Sequence, residues 1–149
     1  LISLAKRVSE LPGCDAICIS NTLPYGTYPN VIPWEEIFGS GEGSPLQRRG
    51  FLQPGGYSGP LLLPFVIQWV EDARRVGITI PFNIGGGITK ANDVDLLYEA
   101  NGMRRNSSIF IGSIALTRPW RVRTISRSGH QLFGREVHHD ADVAYSPTR

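Results

Sequence analysis

Apolar positions recur at helical spacing from the first residue. Leu1, Leu4, Ala5, Val8 and Leu11 alternate with Lys6, Arg7 and Glu10, and Pro12-Gly13 ends the pattern, which predicts an amphipathic helix. Asp15 to Ser20 is short and almost wholly apolar and stops at Asn21-Thr22, as expected of a parallel strand buried on both faces. Periodicity then disappears from Leu23 to Pro60, where Pro and Gly dominate. A loop that long is expected to be a functional lid or an insertion. Within it Trp34-Glu35-Glu36-Ile37-Phe38 predicts a helical turn.

Helical spacing resumes at Leu61. It runs to Val76, with Leu62, Phe65, Val66, Trp69, Val70 and Ala73 facing inward, Gln68, Glu71, Asp72, Arg74 and Arg75 outward, and Gly77 as C-cap. Ile78 to Ile84 predicts a buried strand. Thr89 to Asp93 opens a helix through Val94, Leu97 and Tyr98 to Ala100, stopped by Asn101-Gly102, and Ile109-Phe110-Ile111 is the next strand. From Arg121 to Arg149 no helical stripe is visible. Helices alternating with short apolar strands predict an α/β fold of parallel βα units, too few to close a barrel, which needs about eight strands.

Composition narrows this only slightly. The 149 residues, 41% hydrophobic and 19% charged, are those of a globular chain. No apolar run approaches the roughly 18 residues of a membrane span. Net charge is +2, too small to argue for nucleic acid as a partner, although Arg104, Arg105, Arg118, Arg121, Arg123, Arg127, Arg135 and Arg149 concentrate the cations in the last third. Cys14 and Cys18 are expected as buried free thiols, which favours a reducing cytoplasm, since no further Cys pair or His cluster completes a metal site. Beginning at Leu1, the chain is expected to be a piece of something longer.

Unusual residues stand at every predicted strand end: Asn21-Thr22, Gly85-Gly86-Gly87 and Gly112-Ser113. Active sites of parallel α/β proteins lie at such carboxyl ends, and glycine there leaves room and free N–H groups for an anion. The two glycine turns are therefore expected to hold one phosphate between them. Gly55-Gly56-Tyr57-Ser58-Gly59-Pro60 precedes a helix and could bring further N–H groups to a phosphate or serve only as a hinge; it matches neither a Walker loop nor a dinucleotide fingerprint. Asn21 could bind a planar ring bearing carbonyl and N–H groups or simply cap its turn. His130, His138, His139, Asp140 and Asp142 are better read as a solvated charge run than as a metal site, and Trp34, Trp69 and Trp120 as packing residues. No Ser-His-Asp order and no paired carboxylates at strand ends are present, so the chemistry is expected from a cofactor or from residues outside this chain.

Four ordered motifs carry a resemblance. Asp15 to Thr22, Gly55 to Pro64, Pro81 to Ile88 and Ile109 to Ala115 together resemble the C-terminal part of the dihydroorotate dehydrogenases, flavin-mononucleotide (FMN)-dependent (β/α)₈ TIM barrels, and the related flavin domain of dihydropyrimidine dehydrogenase. The resemblance covers roughly residues 1–120 and implies the last three βα units of the barrel, with 121–149 a divergent or disordered tail. It implies that Asn21 and Thr22 bind the pyrimidine of dihydroorotate or orotate. Gly55, Gly56, Ser58 and Gly59 would lie against the flavin, and Gly86, Gly87, Gly112 and Ser113 would hold its phosphate.

The implied activity is oxidation of dihydroorotate to orotate in pyrimidine biosynthesis, by hydride transfer to the flavin while a base removes a proton. The family's lysine and its Cys or Ser base precede the Asn-Thr strand, so this chain contains no catalytic base and alone is expected to be inactive. Another phosphate-binding barrel enzyme, or a truncated inactive fragment, is the alternative, and the long segment from Leu23 to Gln53 leaves open a different substrate. The expected partners are a small pyrimidine and further copies of the chain, with no nucleic acid and no membrane.

Overall fold

A computed structural model describes residues 1–19, 22–110 and 119–133. The element order is α1 (Ile2–Ser9), β1 (Ile17–Ile19), β2 (Leu23–Pro24), α2 (Trp34–Phe38), β3 (Gly56–Tyr57), α3 (Leu63–Arg75), β4 (Phe82–Gly85), α4 (Ala91–Ala100), β5 (Ser108–Phe110) and α5 (Pro119–Phe133). It is a mixed α/β arrangement around a three-stranded parallel sheet ordered β1-β4-β5. Each parallel neighbour is reached through a helix, α3 between β1 and β4 and α4 between β4 and β5, as parallel pairing requires. Among the described residues no helix is long and apolar enough to cross a membrane.

Side-chain alternation gives this sheet two unlike faces. On one, Ile17 pairs with Phe82, and Ile19, Ile84 and Ile109 form a second row. Phe82 and Ile84 are buried, and these rows pack with Val66, Val70 and Ala73 of α3 and Val94 and Leu97 of α4. On the other face Cys18, Asn83 and Ser108 stand in register. Cys18 and Ser108 are exposed, which corrects the expectation of a strand buried on both faces and of buried thiols. Both cysteines are free, Cys14 partly covered and Cys18 open to solvent.

Arg74, expected to face outward, turns inward beneath the sheet. Its guanidinium makes five hydrogen bonds: two to Asn101 Oδ1 (2.9 and 2.6 Å), one each to the carbonyls of Ile78 (2.6 Å) and Ile80 (3.0 Å), and one to Ser107 Oγ (3.3 Å). It also stacks over the Phe82 ring, 3.9 Å from the centroid. Burial, and after it the nearby Arg104 guanidinium, lower its pKa to about 10, so it is still a cation at neutral pH. Asn101 and Ser107 are themselves buried, and Ser107 Oγ accepts the Phe82 N–H at 3.0 Å.

Three further expectations are corrected. Residues from Arg121 on, read without a helical stripe, form the helix α5 as far as Phe133. Ile125 and Phe133 are buried, Phe133 meets Tyr98 edge-on at 5.4 Å, and Gly129 lets the helix approach so closely that a Cβ there would lie 2.5 Å from Ile109 Cδ1. Gly129 interrupts the apolar series Val122, Ile125, Leu132 and Phe133, which hides the stripe from a hydropathy reading. In α1 the predicted face is rotated: Ile2 and Ala5 pack on the core, while Leu1, Leu4, Val8 and Leu11 are exposed. Trp120, assigned to packing, is also exposed, whereas Trp34 is buried and Trp69 meets Phe82 at 5.4 Å.

Replacing Arg74 by Ala removes its donors from Asn101 Oδ1, Ser107 Oγ and the carbonyls of Ile78 and Ile80, and is expected to cost about 3 kcal/mol. Arg74→Lys keeps the charge but lacks the planar fork, and should recover less than half of that. Urea unfolding midpoints of the two variants against the parent chain check both expectations.

Candidate functional site

Parallel register brings the carboxyl ends of the strands side by side. Ile84 lies opposite Ile19 on one side and Ile109 on the other, and Gly85 pairs with Phe110. The segment after β4 therefore leaves the sheet between the ends of β1 and β5. Gly86 (φ 97°) and Gly87 (φ 77°) make that turn in the left-handed region, where a side chain is strained. Gly87 also abuts the start of α3: a Cβ on it would stand 2.8 Å from Leu63 Cα. Of the residues assigned from sequence to this end, Asn21, Gly112 and Ser113 lie outside the described residues.

The long excursion between Thr22 and Leu62 is tied back to the same end. β2 and β3 pair antiparallel, Leu23 with Tyr57 and Pro24 with Gly56. Between them lies an ordered aromatic cluster rather than an unstructured loop. Trp34 contacts Tyr25 (4.9 Å), Phe38 (5.9 Å) and Tyr57 (6.2 Å) and donates its indole N–H to Thr27 O at 2.8 Å. The predicted helical turn is α2, and Arg48 holds its far end by donating to the carbonyls of Phe38 (2.6 Å) and Gly43 (3.1 Å).

That cluster gives the Gly55 to Gly59 loop its shape. Gly55 adopts φ 70° against Leu46. At Gly56 a Cβ would fall 2.5 Å from Thr22 Oγ1, so the strand end at Thr22 and this loop are in direct contact. The Tyr57 ring folds over Gly59, where a Cβ would be 2.6 Å from Cζ, and its hydroxyl accepts the Leu61 N–H at 3.4 Å. Gly56 and Gly59 are thus demanded by packing. The chain from Ser58 and Gly59 then runs through a turn of 3₁₀ helix, Pro60–Leu62, into Leu63, the residue pressed against Gly87. Thr22, Gly55, Gly56, Ser58, Gly59, Gly86 and Gly87 consequently belong to one contiguous end of the fold.

The rim of this end carries charge that the sequence reading did not single out. Asp93 is buried and fills the amino end of α4, its Oδ2 accepting from Thr89 N (2.7 Å), Thr89 Oγ1 (3.1 Å) and Lys90 N (3.0 Å). Arg121, at the opening of α5, donates to Thr89 O at 3.4 Å, and Lys90 is exposed beside it. Two cations therefore flank the segment that follows Gly86-Gly87. In the sequence Arg121 is only one of a basic excess, because its link to Thr89 spans 32 positions.

A groove of about 580 Å³ runs beside β1, lined among others by Cys18, Thr22, Leu62, Phe65 and Trp69. No His, Cys, Asp or Glu cluster suited to a metal occurs among the described residues. No protein-family model and no curated protein matches the chain.

Gly87→Ala is expected to destabilise the chain by about 3 kcal/mol, since its Cβ meets backbone that must move and adopts a strained φ. Gly13→Ala, at φ 84° with nothing within 4 Å, should cost only about 1 kcal/mol. Thermal unfolding of the pair separates the close approach at Gly87 from backbone strain alone.

Proposed function

We propose that this chain is the phosphate-binding end of an FMN-dependent (β/α)₈ barrel oxidoreductase resembling the dihydroorotate dehydrogenases. The observation that carries the reading is the turn at Gly86-Gly87, which leaves a parallel sheet at its carboxyl end between two neighbouring strands, with Gly87 packed on the start of α3. Phosphates in barrels of this kind lie at that end. The residues present fit an anionic group: successive glycines in the left-handed region, and Lys90 and Arg121 on the rim to attract charge.

In this reading Gly86 and Gly87, with Gly112 and Ser113, hold the phosphate. The backbone from Gly55 through Gly56 and Ser58 to Gly59 borders the flavin, and Asn21 and Thr22 meet the pyrimidine substrate. FMN when bound supplies the two-electron redox chemistry. The chain supplies orientation of the phosphate by backbone amides, a positive rim, and one substrate amide; the catalytic base comes from outside it. Oxidation of a dihydropyrimidine such as dihydroorotate is the proposed reaction.

Titration of the purified chain with FMN, followed by flavin fluorescence, tests this. FMN is expected to bind more tightly than riboflavin, and inorganic phosphate to compete. Arg121→Ala should weaken FMN roughly 3-fold and reduce the salt dependence of binding. Equal affinity for FMN and riboflavin, or no binding of either, would overturn the reading.

A further inference from the structure

The face of the sheet that no described helix covers is built for hydrogen bonding. Its middle row is Cys18, Asn83 and Ser108, one residue from each strand in register. These side chains are joined to one another: Ser108 Oγ donates to Asn83 Oδ1 at 3.2 Å, and Asn83 Nδ2 donates to Cys18 Sγ at 3.7 Å. The contacts orient the Asn83 amide and leave it one more acceptor lone pair and one more N–H. A packed barrel interior fills such rows with bulky branched residues. An apolar layer laid over this row would bury hydrogen-bonding capacity without partners, at a cost that polar contacts avoid.

Directly above Asn83 on the same face of β4 is Gly85, and above that the Gly86-Gly87 turn. The middle strand therefore carries no side chain between the amide and the turn. At about 3.3 Å per residue, Asn83 lies roughly 10 Å along the strand from Gly86. That span suits a ligand with an anionic group at one end and a planar ring at the other.

We infer that Asn83, oriented by Ser108 and Cys18, is a ring-binding residue that receives the edge of a heterocycle carrying neighbouring N–H and C=O groups. The inference rests on the phosphate reading of the Gly86-Gly87 turn and adds the group that fixes the other end of the ligand. Both the pyrimidine edge of a flavin and a free pyrimidine such as orotate present that pattern.

The test is isothermal titration of the whole chain and of Asn83→Ala with FMN, orotate and inorganic phosphate. Asn83→Ala is expected to weaken FMN or orotate about 10-fold and to leave phosphate unchanged. Loss confined to FMN identifies the flavin as the occupant, and loss confined to orotate identifies the substrate. Should Asn83→Ala lose its native circular dichroism, Ser108→Ala, at an exposed position, is read instead, with an expected loss of about 3-fold. Ring ligands that bind both chains equally would overturn the inference while the phosphate reading stands. A parent chain that binds neither FMN nor phosphate would sink the proposed function, and orotate alone would then decide the role of Asn83, with absent or unaltered binding overturning it.

Discussion

The interaction on which the sheet's amino-terminal end depends is the inward turn of Arg74. A single guanidinium gathers the carbonyls of Ile78 and Ile80 before β4, the amide of Asn101 after α4 and the hydroxyl of Ser107 before β5. Ile78, Asn101 and Ser107 are buried, so their polar groups need partners within the protein. A planar cation with several donors can satisfy them together, which a lysine or a neutral amide cannot. Its desolvation is visible in a pKa lowered to about 10, and the hydrogen bonds and the Phe82 ring offset that cost.

With that end closed, the carboxyl end is free to be irregular. There the close approach of Gly87 to Leu63 joins the turn after β4 to the start of α3, and the β2–β3 ribbon draws the long excursion back to Thr22. The two ends thus differ in kind. Below, charge and amide are consumed in holding elements together; above, glycines at 56, 59 and 87 let backbone and rings pack closely, with Lys90 and Arg121 nearby.

The uneven faces of the sheet add a second asymmetry. Apolar rows meet the helices, while Cys18, Asn83 and Ser108 form a hydrogen-bonded row on the opposite side. The same alternation that buries Phe82 and Ile84 sets Asn83 on the other face, so a hydrogen-bonded polar row comes at no expense to the core.

Element type and order were legible in the chain because they depend on local periodicity: Val66, Val70 and Ala73 read as a helix face and are one, Gly77 follows that helix in the left-handed region, and the strand read over Ile78 to Ile84 is present from Phe82 on. The strand-end glycines were legible for a similar reason, since few residues tolerate such turns. What periodicity cannot report is which partner covers a face. Arg74 sits at a nominally outward helix position yet is claimed by acceptors up to 33 residues away, α5 hides its stripe behind Gly129, and Leu4 and Val8 keep a helical pattern with nothing described over them. Local sequence determined where helices, strands and turns form, because backbone preference and hydropathy act over a few residues. Tertiary structure alone decided which polar groups are enclosed and which apolar faces stay open, because burial and hydrogen-bond satisfaction are settled between segments distant in the chain.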